Sequence, residues 1–370
     1  MAASMGQVSQ LAKMLVRNTS SLCSPRSLTS HRFLSTQQLY VDKFGEPKKV
    51  LASRTLDLPA SIGPRQVVMK MLMAPINPSD INMMEGTYFV QPALPAVMGN
   101  EGVGEIIEVG SDVKGLLPGD WVIPADTAFG TWQTFKLTED TEVIKVRNDI
   151  PVLAAATILI NPCSAYRMLK DFADLQAGDV IIQNASNSGV GISVIQLASE
   201  WGIKTINVVR NRPEIDKLTS YLKSLGADHV ITEEFCRTPE MRDLLRSLPN
   251  QPKLAFNCVG GQSASELLRH LGRGGIMITY GGMSKKPVIA PTGALLFKEI
   301  KLFGYWNTNW NMLHKNDMAR FDMLSDISKL IKDSKFVPPE CEIYSISDYE
   351  EAIERSTTSF KSSKVVFKMT

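Results

Sequence analysis

Residues 178–191 read GDVIIQNASNSGVG. Val180, Ile181 and Ile182 form an apolar run of strand length, and the small polar residues after it make a tight turn. Val190, Val194, Ile195, Ala198 and Trp201 then recur at helical spacing and share a face. Strand, turn and helix in this order open a βαβ unit, whose helix N-terminus offers backbone N–H groups to an anion such as a pyrophosphate. The usual fingerprint is G-x-G-x-x-G. Its glycine positions here are Ser186, Ser188 and Gly191, so only the last is kept. On these residues alone, an ordinary strand–turn–helix and a dinucleotide turn both stay open.

The chain after Ala177 continues to alternate. Strand Val180–Ile182 and its helix lead to a strand at Thr205–Val209 and a helix at Pro213–Leu225, with Pro213 in its first turn and Gly226 closing it. Strands follow at His229–Thr232, Lys253–Val259, Gly275–Tyr280 and Lys301–Trp306, with a helix at Ser263–Leu271. Such a run predicts an α/β fold with a doubly wound parallel sheet.

Upstream the period changes from helical to alternating. Gln66–Met73, Gly102–Val109, Trp121–Pro124 and Thr131–Leu137 read as short strands separated by turn residues such as Leu117-Pro118-Gly119-Asp120. That is a compact, mainly β domain. Residues 74–101 interrupt it with a long insertion, the kind of loop that carries function. Pro151–Lys170 is helical in pattern, broken at Asn161-Pro162, and marks the crossover. Helices at Asp317–Lys332 and Tyr349–Ser356 precede a last strand, Lys364–Lys368, which can return to the first domain's sheet. The expected division is residues 35–160 with 311–370 against 161–310, with a cleft between the lobes.

The 370 residues suit two domains, at ~150 residues each, and the 44% hydrophobic and 21% charged fractions suit a globular protein. No run of eighteen apolar residues occurs, so no membrane span is expected. Residues 1–41 contain no Asp or Glu, are rich in serine, and carry Lys13, Arg17, Arg26 and Arg32; Val8, Leu11, Ala12 and Leu15 share a helical face. Such an acid-free amphipathic leader reads as a mitochondrial transit peptide, residues 1–34, and Arg32-Phe33-Leu34-Ser35 resembles its processing site. Loss of its four positive charges turns a formal net charge of +2 into −2, which leaves no basic excess for nucleic acid. The five cysteines lack C-x-x-C spacing and the four histidines do not cluster, so free thiols of a matrix protein are expected and a metal site is not.

Past the glycine turn, dinucleotide sites for NAD place an acid about 20 residues on, against the ribose 2′-OH. Here strand Thr205–Val209 ends in Arg210-Asn211-Arg212, with no acid before Glu214. Two guanidiniums would bind a 2′-phosphate that an acid would repel, so the expected cofactor is NADPH. Tyr280-Gly281-Gly282-Met283 and Gly304-Tyr305-Trp306-Asn307 end two further strands, where backbone could approach a nicotinamide and Trp306 could wall its pocket. The sequence has no G-x-S-x-G elbow, H-E-x-x-H or P-loop. Within 74–101 the most usable acid is Tyr88, just after Glu85-Gly86-Thr87; it could donate a proton or bind a developing oxyanion.

Asn77-Pro78-Ser79-Asp80-Ile81-Asn82, Leu94–Gly102, Pro118-Gly119-Asp120-Trp121-Val122, Gln183–Gly191 and Tyr280–Met283, taken in order, resemble the medium-chain dehydrogenase/reductase superfamily. Within it the chain is similar to the mitochondrial 2-enoyl thioester reductases, which perform the last reductive step of mitochondrial fatty acid synthesis. The resemblance spans everything after the leader. It implies a Rossmann cofactor domain and a discontinuous GroES-like catalytic domain. Zinc members of the superfamily carry Gly-His-Glu where this chain has Gly99-Asn100-Glu101, and a four-cysteine lobe that this chain lacks, so the zinc-free branch is implied. Carried over by motif, Tyr88 matches the catalytic tyrosine and Asn161 a cofactor-contacting asparagine. Asn187, Ser188, Gly189 and Val190 match the pyrophosphate segment, and Arg210, Asn211 and Arg212 the 2′-phosphate segment. Tyr280, Gly281, Gly282, Met283, Tyr305, Trp306, Asn307 and Lys364 match later cofactor contacts. The resemblance further implies NADPH, an enoyl thioester substrate carried on mitochondrial acyl carrier protein or CoA, and a homodimer. Lys285, Lys286 and Lys298, following strand ends, are the basic residues expected to meet the acidic carrier. A zinc-free quinone reductase and a non-catalytic nucleotide-binding partner protein are the two competing readings.

Overall fold

The computed structural model describes residues 34–358 and 363–369; the expected leader falls, but for Leu34, outside them. Six strands form one parallel sheet in the order His229–Thr232, Lys204–Val209, Val180–Gln183, Leu254–Asn257, Ile276–Thr279, Lys301–Gly304. The chain order reverses between Val180–Gln183 and Leu254–Asn257, which makes the end of Val180–Gln183 the switch point of a doubly wound sheet. Burial on both faces explains the unbroken apolar run there: Val180, Ile181 and Ile182 have no exposed surface. Val194, Ile195 and Ala198 of helix Gly189–Glu200 are equally buried, as their spacing predicts.

A second, seven-stranded sheet runs Cys341–Ser345, Lys364–Lys368, Gln66–Pro75, Val103–Val109, Trp121–Pro124, Val143–Val146, with Phe135–Glu139 also paired to Gln66–Pro75. Ser35–Val41, Leu51–Asp57 and Ala96–Val97 form a three-stranded sheet beside it. Lys364–Lys368 does return across the chain: Val366, Phe367 and Lys368 lie opposite Pro75, Ala74 and Met73. Phe367 packs edge-on to the fully buried Trp132, ring centroids 5.3 Å apart, in a core that also holds Leu39, Met69, Met98 and Ile106. A separate apolar cluster runs continuously from Val103, Ile123 and Ile144 of the β body to Ile181, Val194 and Phe256 of the parallel sheet. An apolar junction of this kind holds the two bodies in one arrangement.

Several boundaries differ from the sequence reading. The helical stretch does break before Asn161-Pro162, into Val152–Ala156 and Asn161–Asp171, with Pro162 in the second helix's first turn, where proline is suited. The helix expected from Pro213 begins at Ile215, since Glu214 takes a left-handed φ of 59°. The strand expected at Thr131–Leu137 lies at Phe135–Glu139; Thr131 and Trp132 instead donate their backbone N–H groups to Gly99 and Met98. Strand Lys301–Gly304 ends before Trp306, which caps a helix, Asn307–Leu313, that sequence periodicity missed. Helix Glu240–Ser247 and strand Cys341–Ser345 were also unread. Lys298 is not at the cofactor rim: its Nζ donates to the carbonyls of Arg269 and Leu271, ending helix Gly261–His270.

Candidate active site

The turn after Val180–Gln183 shows why two of the three fingerprint glycines are dispensable. Ser186, buried, donates its hydroxyl to the carbonyls of Val208 and Gln183, 3.1 and 3.2 Å away. Ser188 is the N-cap, its Oγ accepting from Gly191 N–H at 3.1 Å. Only Gly191 is sterically forced: a Cβ there would lie 2.6 Å from the Ser186 carbonyl oxygen. Asn187, Ser188, Gly189 and Val190 thus gather at a helix start, where N–H groups lack intrahelical partners. Asn161 joins them, since a Cβ on Gly189 would meet its side chain at 2.9 Å.

Buried amides run across the carboxyl ends of four strands. Gln183 Nε2 donates to Asn207 Oδ1 and to the Gly191 carbonyl; Asn184 Nδ2 donates to Asn257 Oδ1, and Asn257 Nδ2 to Thr279 Oγ1. This polar row fixes the loops that face the cleft. Beyond Lys204–Val209, Arg210 and Asn211 are exposed and Arg212 is half-buried. Burial and the neighbouring Arg210 charge both lower the Arg212 pKa, a strain on the cation that a bound dianion would relieve. After Ile276–Thr279, Tyr280 and Met283 donate backbone N–H groups to Asn257 and Cys258, and a Cβ on Gly282 would face open space. The residues present therefore fit a dinucleotide with a 2′-phosphate.

Across the cleft the insertion 74–101 meets the Trp306 segment. Trp306 Nε1 donates to Tyr88 Oη at 2.9 Å, and Thr308 Oγ1 lies 3.1 Å from the same oxygen. Thr127 Oγ1 donates to Thr308 Oγ1 at 3.0 Å. Phe89, 86% exposed, stands edge-on to Trp306 with centroids 5.3 Å apart. Tyr305 is buried; its hydroxyl donates to Asn307 Oδ1 at 3.0 Å, and Asn307 Nδ2 donates to the Leu159 carbonyl. Tyr305 and Asn307 thus tie the Trp306 segment to the residue two before Asn161.

Behind the tyrosine lies a buried acid–amide cluster that sequence reading only touched. Asp80 accepts from Asn77 N, Asn100 N and Asn100 Nδ2, and Glu101 accepts from Asn77 Nδ2 and Ile160 N. Lys364 Nζ donates to Asn77 Oδ1 at 2.6 Å and stands 3.9 Å from Glu101 Oε2. Burial pushes the Asp80 carboxyl up to about 7, against the bonds from Asn77 and Asn100 that favour its ionised form. Burial raises Glu101 as well, with Lys364 opposing it. Asn100, at the histidine position of zinc relatives, spends its carbonyl on Ala128 N at 2.7 Å and its amide on Asp80. Among the described residues no three His, Cys, Asp or Glu converge as metal ligands.

A doubly wound parallel sheet beside a β body that the terminal strand returns to is the architecture of the two-domain oxidoreductases of the medium-chain dehydrogenase/reductase superfamily. The GroES-like domain of alcohol dehydrogenases matches residues 63–147, and the family described as zinc-binding dehydrogenase matches 189–322. The chain is 52% identical over 325 residues to the human mitochondrial enoyl-[acyl-carrier-protein] reductase, covering 88% of this chain and 86% of that protein. A solved complex of Etr1p with NADP and crotonyl-CoA superposes with a TM-score of 0.85 at 33% identity, over 90% of this chain and 100% of that one. The Etr1p/Etr2p heterodimer of the mitochondrial 2-enoyl thioester reductase from Candida tropicalis gives 0.85 at 34%, with the same coverage. The chain belongs to the mitochondrial enoyl-[acyl-carrier-protein] reductase family.

Proposed function

We infer that this chain reduces the C2–C3 double bond of trans-2-enoyl thioesters with NADPH in mitochondria. The observation that carries the catalytic assignment is the Tyr88 hydroxyl, held by Trp306 and Thr308 at the cleft. When bound, NADPH supplies the hydride for C3. Asn161, Asn187–Val190 and the Tyr280–Met283 and Tyr305–Asn307 segments would line its path, Arg210, Asn211 and Arg212 would take its 2′-phosphate, and Lys364 would contact it from the returning strand. Negative charge develops on the thioester oxygen as C3 is reduced, and C2 then takes a proton. Tyr88 stabilises that charge or gives that proton. The division between residues 35–160 with 311–370 and 161–310 puts this chemistry in the cleft, and the acid-free leader directs the chain to the matrix. NADPH oxidation with crotonyl-CoA against a quinone tests the reading: turnover of the quinone alone would favour a quinone reductase, and NADPH binding without any turnover a partner protein.

Two assemblies belong to this reading. Strand Lys301–Gly304 is a sheet edge whose four residues are all exposed, and it follows exposed Leu295, Leu296 and Phe297, the last 76% open. An apolar open edge of this kind is normally covered, and a second copy covers it as a homodimer. A Phe297→Glu/Leu302→Glu variant is expected to sediment as a monomer where the unaltered chain sediments as a dimer; a monomeric unaltered chain would end the proposal. The acyl carrier protein is the second partner. Exposed Lys285 and Lys286 follow the strand end at Thr279 and meet its acidic surface. Lys285→Glu/Lys286→Glu is expected to lose activity on carrier-bound enoyl substrate more than on the CoA substrate, with the gap narrowing as salt rises. Equal losses on both would remove these lysines from the carrier site.

A further inference from the structure

We propose that Thr308 and Thr127 form a proton relay that returns a proton from solvent to Tyr88 after each turnover. The proposal rests on Tyr88 being the proton donor. Trp306 Nε1–H can only donate, so the Tyr88 oxygen accepts that bond, leaving the phenol proton for the substrate. Thr127 donates to Thr308, whose oxygen is thereby an acceptor. The single Thr308 proton is then available to the Tyr88 oxygen, 3.1 Å away. Thr308 is only 7% exposed, whereas Tyr88 and Thr127 at the two ends of the row are both half-buried, so once substrate covers Tyr88 the row still ends on a group that water can reach.

The row is held in place from several sides. Arg320 Nη2 donates to the Ala125 carbonyl, Ala128 N–H donates to Asn100 Oδ1, and Asp126 pairs with Lys315. Ala128 itself sits at a φ of 63°, a backbone geometry that L residues rarely adopt. Thr308 is in the first turn of helix Asn307–Leu313. Three unrelated segments thus converge on one row of hydroxyl groups, and groups held in place in this way need little reorganisation when charge moves.

Tyrosine carries one proton. When C2–H forms, the Tyr88 O–H bond breaks and the phenolate oxygen keeps the electron pair, with Trp306 N–H and Thr308 O–H donating to it. Reset moves three protons by one hydrogen bond each: Thr308 to Tyr88, Thr127 to Thr308, and a solvent water to Thr127, which leaves hydroxide in bulk. No electrons transfer in the reset. Valine at Thr308 keeps the branched shape and removes the middle link, and serine restores the link.

The test is stopped-flow NADPH oxidation with crotonyl-CoA on Thr308→Val, Thr308→Ser and Thr127→Val, with NADPH binding followed separately by fluorescence titration. Thr308→Val is expected to show a burst of one turnover per site and then a steady state slower by about a hundredfold or more, the scale of a lost acid–base step. The slow phase should carry an enlarged solvent deuterium isotope effect, NADPH affinity should stay unchanged, and Thr308→Ser should recover the rate. Thr127→Val should show the same burst, and it decides alone if circular dichroism shows Thr308→Val misfolded. Equal slowing of first and later turnovers, or wild-type kcat in the valine variants, overturns the relay. Tyr88→Phe separates the two readings: wild-type kcat there removes Tyr88 as donor, whereas a slow Tyr88→Phe beside unimpaired threonine variants removes only the relay.

Discussion

Tyr88→Phe is expected to lower kcat by about 10²–10³ while NADPH still binds, the usual cost of one oxyanion donor. The hydroxyl acts where charge develops, so its loss falls on the transition state and not on the ground state. KM for the enoyl substrate should therefore change less than kcat. The ring stays in phenylalanine, and with it the edge-on packing against Trp306, centroids 6.2 Å apart. Trp306 N–H and Thr308 O–H each lose one partner, while Thr308 keeps its bond from Thr127. The melting temperature should accordingly move little. A tyrosine serving only to pin the Trp306 segment predicts the reverse, a lower melting temperature with near-normal kcat. Both quantities measured on one variant decide, and kcat within about twofold of wild type would remove Tyr88 as an essential donor.

Arg210→Ala/Arg212→Ala is expected to raise KM for NADPH by about ten- to a hundredfold per lost contact and to leave KM for NADH nearly unchanged. Each charge-assisted phosphate bond is worth about 1.5–3 kcal/mol. The site starts with a penalty, since burial and the adjacent Arg210 both disfavour the Arg212 cation. Phosphate removes that penalty on binding, and NADH, with a hydroxyl in its place, cannot. Removing both guanidiniums therefore costs the phosphate-bearing cofactor and spares the other. Equal losses for the two cofactors would exclude these arginines from 2′-phosphate recognition.

The parallel sheet was readable because its inner strands are buried on both faces and leave unbroken apolar runs such as Val180–Ile182 between helical stretches. The returning strand Lys364–Lys368 was readable for the same reason. What failed was local. Glu214 begins its helix from a left-handed φ that composition does not announce, and Trp306 looked like strand because it is extended, though it caps a helix. Tyr88 and Trp306 were each picked out by their glycine neighbours, but nothing in the sequence joins residues 218 positions apart. Thr127 and Thr308 carried no signal at all: threonine is common, and its meaning here lies in one tertiary contact. Asp80 and Glu101 were visible only as parts of motifs. Their burial, and the spending of Asn100 on Asp80 and Ala128, required coordinates.

The returning strand also sets an order of events during synthesis. Lys364–Lys368 lies between Gln66–Pro75 and Cys341–Ser345, yet it leaves the ribosome about 290 residues after Gln66–Pro75, at some 5–20 residues per second. Until it arrives, Pro75, Ala74 and Met73 present an open backbone edge, and Trp132 lacks the ring of Phe367. The parallel sheet, whose six strands all lie between residues 180 and 304, has no such wait. A nascent chain thus carries a finished cofactor half and an unfinished catalytic half. A message interrupted before codon 364 would yield a protein with a sticky, unpaired strand, the form that chaperones hold and proteases clear.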